Sequence, residues 1–72
     1  MRVATWNVNS LRVRLAQMKD WLAANPVDVI VLQETKLPDQ DFPRDEIESI
    51  GMSVAFSGQR TYNGVAILAK RQ

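Results

Sequence analysis

The stretch Asp28-Val29-Ile30-Val31-Leu32-Gln33-Glu34-Thr35-Lys36 constrains the fold more than any other part of the chain. Four consecutive apolar residues, Val29 to Leu32, lie between the turn signal Asn25-Pro26 and a polar tail, a pattern that predicts a central strand covered on both faces. Side chains alternate across a sheet, so an extended Glu34 shares a face with Ile30 and Leu32. A carboxylate at the carboxyl end of a buried strand stands where open α/β sheets place their ligands. The plain alternative is a glutamate that has emerged into solvent as the strand ends, because glutamates are mostly exposed.

Residues on either side fit around that strand. Arg2 to Val8 alternates, with Val3, Thr5 and Asn7 on one face and Ala4, Trp6 and Val8 on the other. Ser10 has the chemistry of a helix N-cap, and Leu11, Leu15, Met18 and Leu22 recur at the spacing of one helical face, which Asn25-Pro26 ends. Residues 2–34 therefore run strand, helix, strand. If the two strands are parallel in one sheet, the right-handed crossover brings their carboxyl ends to the same edge, and Asn7 and Glu34 become neighbours.

Beyond Lys36 a loop is expected to Phe42, then a short helix opened by Pro43, with Asp45 and Glu46 in its first turn and Gly51 at its C-terminal cap. Ser53 to Ser57 and Val65 to Leu68 read as two further strands, expected as antiparallel partners by their hairpin connection, with the polar loop Gly58 to Gly64 between them. Four strands and two helices in one mixed sheet make the fold class α/β or α+β. Trp6 and Trp21, within apolar periodic segments, are expected as core anchors.

Composition narrows the chemistry. Seventy-two residues make one small, marginally stable domain at most. With neither cysteine nor histidine in the sequence, disulfides, thiolate metal sites and histidine bases are excluded, and any metal must be held by oxygen, which favours Mg²⁺ or Mn²⁺. The net charge of +1 announces no nucleic-acid partner, so local placement has to make that case. Without a signal-peptide core or an apolar run of membrane-span length, a cytoplasmic protein with no membrane partner is expected.

Glu34 beside Asn7 suits Mg²⁺, which needs only one or two protein carboxylates and completes its shell with water and substrate phosphate. A strand-end pair with no ligand is the other reading. Arg12, Arg14 and Lys36 offer a basic rim near the helix start, and Arg60 and Tyr62 a stacking or hydrogen-bonding loop tip. Each of these is equally compatible with solvated surface or a simple turn.

Three blocks resemble a known family. They are Ala4-Thr5-Trp6-Asn7-Val8-Asn9-Ser10-Leu11-Arg12, then Asp28 to Lys36, then Tyr62-Asn63-Gly64-Val65-Ala66-Ile67-Leu68. Together they are similar to the opening of bacterial exonuclease III, the Mg²⁺-dependent apurinic/apyrimidinic endonucleases of the wider endonuclease, exonuclease and phosphatase superfamily. The resemblance implies a four-layer αββα sandwich, of which residues 1–72 are the N-terminal fragment. It implies Glu34 as metal ligand, Asn7 as an active-site residue beside it, Asn9 at the edge of that cluster, and Arg12, Tyr62 and Lys36 toward DNA. The implied partner is duplex DNA with abasic sites or 3′ ends. Family members also bring, from later in the chain, a tyrosine, an Asp and Asn pair, another Asp and a His paired with Asp. A chain that stops at Gln72 and contains no His is expected to be catalytically deficient. One sheet face would lack its cover, so self-association is expected too.

Overall fold

A computed structural model describes residues 1–58 and 64–71. Strand β1 (Val3–Asn7) leads into helix α1 (Leu11–Ala24), which returns to β2 (Val29–Gln33). A 3₁₀ turn (Asp39–Asp41) and a short helix α2 (Arg44–Ser49) follow, then β3 (Met52–Gly58) and β4 (Gly64–Lys70). The four strands form one sheet in the order β1-β2-β4-β3. β1 and β2 run parallel, with Asn7 opposite Gln33, while β4 is antiparallel to both β2 and β3. This is the expected mixed α/β sheet with two helices; the 3₁₀ turn lies where only loop was expected.

All the helical elements contribute to one side of the sheet. Leu11, Met18 and Leu22 from α1, Phe42 after the 3₁₀ turn and Ile47 from α2 join Ile30, Leu32, Ala66 and Leu68 in the core. Phe42 also stacks on Phe56 of β3, ring centroids 4.0 Å apart, and thereby ties the 3₁₀ turn to the sheet. The opposite face carries Val3, Thr5 and Asn7 from β1 with Val65 and Ile67 from β4, all exposed, and the half-buried Val29 and Val31 between them. The strand Val29–Gln33 is thus covered on one face only among the described residues, not on both as its composition implied. An unbroken apolar run specifies that both faces are greasy; it does not say which face this part of the chain covers.

Two further expectations are corrected. Trp6 packs against the core, but Trp21 is 40% exposed, because it precedes Leu22 and so falls one helical step away from the buried face. Ser10 occupies the N-cap position of α1 without any side-chain cap hydrogen bond. Gly51, by contrast, behaves as expected: its φ of 87° lies in the left-handed region, and its N–H donates to the Glu48 carbonyl at 3.0 Å to close α2.

Two substitutions separate these contributions in urea unfolding. Gly51→Ala meets no atom within 4 Å of the new Cβ, so its cost is backbone strain alone, about 1–2 kcal/mol. Leu32→Ala, at a fully buried position, is expected to cost about 3 kcal/mol or more, a large share of the stability of so small a domain and a larger drop in urea midpoint than that of Gly51→Ala.

Candidate functional site at the carboxyl ends of β1 and β2

The loops that follow β1 and β2 are joined by main-chain hydrogen bonds. Val8 N–H donates to the Gln33 carbonyl at 3.0 Å, Ser10 N–H to Glu34 at 2.8 Å and Leu11 N–H to Thr35 at 2.9 Å. The segment after β2 thus accepts from Ser10, at the N-cap position, and from Leu11, the first residue of α1, while Ser10 makes no side-chain cap. On the other side Thr35 N–H donates to the Gly64 carbonyl at 3.1 Å, so the loop after β2 is fastened to β4 as well.

Such close docking bends the backbone. Among the described residues the positive-φ non-glycine positions are Asn9 (φ 46°), Ser10 (φ 88°), Glu34 (φ 55°) and Lys36 (φ 59°), and all four belong to these two loops. A left-handed residue with a side chain costs roughly 1–2 kcal/mol, and concentrations of such residues mark sites where geometry is held against local preference.

The bend at Glu34 redirects its side chain. β2 ends at Gln33, which is paired with Asn7 and lies on the same face of the sheet. An extended Glu34 would turn to the opposite face, with Ile30 and Leu32, as the alternation of the sequence implied. In the left-handed conformation its carboxylate instead meets Asn7, whose Nδ2 donates a hydrogen bond to Glu34 Oε2. The two residues are neighbours, as the crossover argument predicted, although they reach one another by a route that strand periodicity does not contain.

The cluster extends by two hydrogen bonds. Asn9 N–H donates to Asn7 Oδ1 at 3.2 Å, and Lys36 Nζ donates to Asn9 Oδ1 at 2.5 Å. Asn7, Asn9, Glu34 and Lys36 therefore form one hydrogen-bonded chain across the two loops. Arg12, exposed on the first turn of α1, lines an open groove of about 350 Å³ with Ser10, Lys36, Leu37, Pro38 and Asp41. Arg14 is not part of that groove, and Arg60 and Tyr62 lie outside the described residues.

The donor set for a metal is oxygen only. Among the described residues no group of three or more acidic, histidine or cysteine side chains comes together, and Glu34 is the one carboxylate in the hydrogen-bonded cluster. Asn7 engages Oε2, and no hydrogen bond to Oε1 is made among the described residues. One carboxylate of this kind fits a hard cation that keeps most of its water and takes phosphate oxygens, and does not by itself make a protein cage.

Two participants were missed by sequence reasoning. Thr35 is fully buried between the two left-handed residues, and Gly64 abuts it from β4. The signal available was a glycine opening a strand directly after a polar loop, a position that can equally serve an ordinary turn.

Residues 4–72 match the Endonuclease/Exonuclease/phosphatase family. The whole chain is 38% identical to exodeoxyribonuclease III of Haemophilus influenzae and spans 27% of that protein's length. Among solved structures, the 3′-5′ exonuclease of Neisseria meningitidis superposes with a TM-score of 0.92 at 52% identity, covering 96% of this chain and 27% of its own. An AP endonuclease from Archaeoglobus fulgidus gives 0.92 at 43% identity over the same shares. The chain thus spans about a quarter of the length of these relatives.

The Asn7 bond is exposed, and the net contribution of such a hydrogen bond is small. Asn7→Ala is expected to change the free energy of urea unfolding by no more than about 1 kcal/mol. A loss of more than about 2 kcal/mol would make Asn7 a scaffold residue instead of a site residue.

Proposed function

From the premise that the chain belongs to the endonuclease/exonuclease/phosphatase family, we propose that it carries the phosphate-handling part of an exonuclease III-like hydrolase of DNA repair. The observation that supports this most is the Asn7–Glu34 pair at the shared edge of two parallel strands, held there against backbone preference. The substrate is duplex DNA bearing abasic sites or 3′ ends, and the cofactor is Mg²⁺ or Mn²⁺ held through Glu34. Such a cation, when bound, polarises a phosphoryl oxygen. Asn7 orients the carboxylate by holding Oε2, while Arg12 and Lys36 draw the DNA backbone toward the groove beside it.

The relatives favour this division of labour. Two of the solved structures are NExo from Neisseria, named in one as a 3′ phosphatase with a product DNA hairpin bound and in the other as a 3′-5′ exonuclease, and the third is named an AP endonuclease. These names agree with a phosphate-handling role for the part of the fold that the chain shares with them. The 72 residues alone have one carboxylate and no histidine in the site, too few groups to activate water and stabilise a leaving oxygen, and are catalytically deficient. The uncovered Val3, Val65 and Ile67 favour a second role as an isolated chain, self-association through that face; a light-scattering mass equal to one chain would count against it.

Incubation of the purified chain and its Glu34→Ala variant with a duplex containing one abasic site, with Mg²⁺ or chelator, is expected to give no cleavage. Metal-dependent cutting that disappears in the variant would overturn the deficiency. Duplex binding is expected to weaken with salt, with a slope of log K against log[salt] near −2 for contacts by Arg12 and Lys36, and Arg12→Ala should reduce that slope by about 1.

A further inference from the structure

We propose that Thr35 and Gly64 are positioning residues for Glu34, acting as a steric clamp that keeps its carboxylate on the Asn7 side of the sheet; the functional meaning of the clamp rests on Glu34 being the metal carboxylate. Thr35 is 0% exposed and is flanked by Glu34 and Lys36, both left-handed. Its carbonyl accepts from Leu11 at the start of α1 and its N–H donates to Gly64 at the start of β4, so three segments converge on one residue. Its Oγ1 is buried and meets no hydrogen-bond partner among the described residues, which makes the side chain a shape and not a polar link.

Gly64 is the other half of that shape. It has φ 111°, and a Cβ there would overlap Thr35 Oγ1 and stand 3.3 Å from the Lys36 amide nitrogen. The β4 backbone can press against Thr35 only because position 64 lacks a side chain. With Thr35 held in this way, the residues before and after it are forced out to the exposed edge, Glu34 to Asn7 and Lys36 to Asn9. Released, Glu34 would no longer be held at its left-handed φ, and its carboxylate would swing away from Asn7.

The side-chain amide of Asn7 reports the position of Glu34 directly by NMR of the ¹⁵N-labelled chain, with Glu34→Ala marking the signal of an amide without its acceptor. Thr35→Val keeps the shape and is expected to leave the Asn7 signal in place. Gly64→Ala is expected to move it to the Glu34→Ala position while contacts between β2 and β4 persist, and to weaken Mn²⁺ binding by about tenfold or more. Thr35→Ala in the Gly64→Ala background transfers a group's worth of volume across the contact and should recover part of the original signal.

A folded Gly64→Ala chain with an unshifted Asn7 amide would overturn the clamp and leave Gly64 a structural residue. If Gly64→Ala does not fold, the comparison of Thr35→Val with Thr35→Ala decides: a retained signal in the alanine variant sinks the proposal, and loss in alanine alone supports it. A Mn²⁺ titration of the unsubstituted chain keeps the two ideas apart. No paramagnetic broadening at Glu34 with an intact Asn7 signal would defeat the metal assignment and leave the positioning standing.

Discussion

The docking of the 8–11 segment onto the 33–36 segment is the constraint on which the rest of the site depends. Three main-chain hydrogen bonds cross that junction, from Val8, Ser10 and Leu11 to the carbonyls of Gln33, Glu34 and Thr35. The first residue of α1 and the residue before it are thereby bonded to the segment that bears Glu34, so the helix start cannot shift without straining the backbone that carries the carboxylate. The parallel pairing of β1 with β2 sets the same relationship one layer deeper, by placing Asn7 opposite Gln33.

Much of this was readable from residue order. The run Val29 to Leu32, the Leu11, Met18 and Leu22 face and the Asn25-Pro26 stop are periodic signals, and the sheet and its helices follow them. Parallel pairing with a right-handed crossover placed Asn7 and Glu34 at the same sheet edge, although not on the same face. Three blocks of sequence resemble the family without reference to the fold. What periodicity could not contain is the left-handed turn at Glu34, because φ is set by tertiary contacts with Gly64 and α1 and not by local propensity. Trp21 fails differently: its apolar bulk suggested burial, while its phase on α1 places it beside the core and not within it.

The same distinction explains the open sheet face. Val65 and Ile67 alternate with buried neighbours along β4, and Val3 of β1 is exposed on the same face, which is uncovered among the described residues. Thr5 and Gln33 temper that face with a side-chain hydrogen bond of 2.7 Å, close to the edge where Asn7 and Glu34 lie. Polarity on this face therefore increases toward the carboxyl ends of β1 and β2. A cover placed over it would leave the carboxylate at the margin, where an oxygen-rich ligand could reach it.

Why the chain tolerates strain at Glu34 can be argued from magnitudes. An extended glutamate would continue the Ile30 and Leu32 face, directing a carboxylate toward a core that contains Leu11, Met18 and Leu68. Burial of an unpaired charge costs several kcal/mol even after relaxation, whereas a left-handed glutamate costs roughly 1–2 kcal/mol. The bend is therefore the cheaper arrangement as well as the one that delivers the carboxylate to Asn7. Stability and site geometry select the same conformation, and a buried threonine against a glycine suffices to hold it. A functional carboxylate at the end of a hydrophobic strand needs some such device, because the strand's own alternation would carry it to the wrong side.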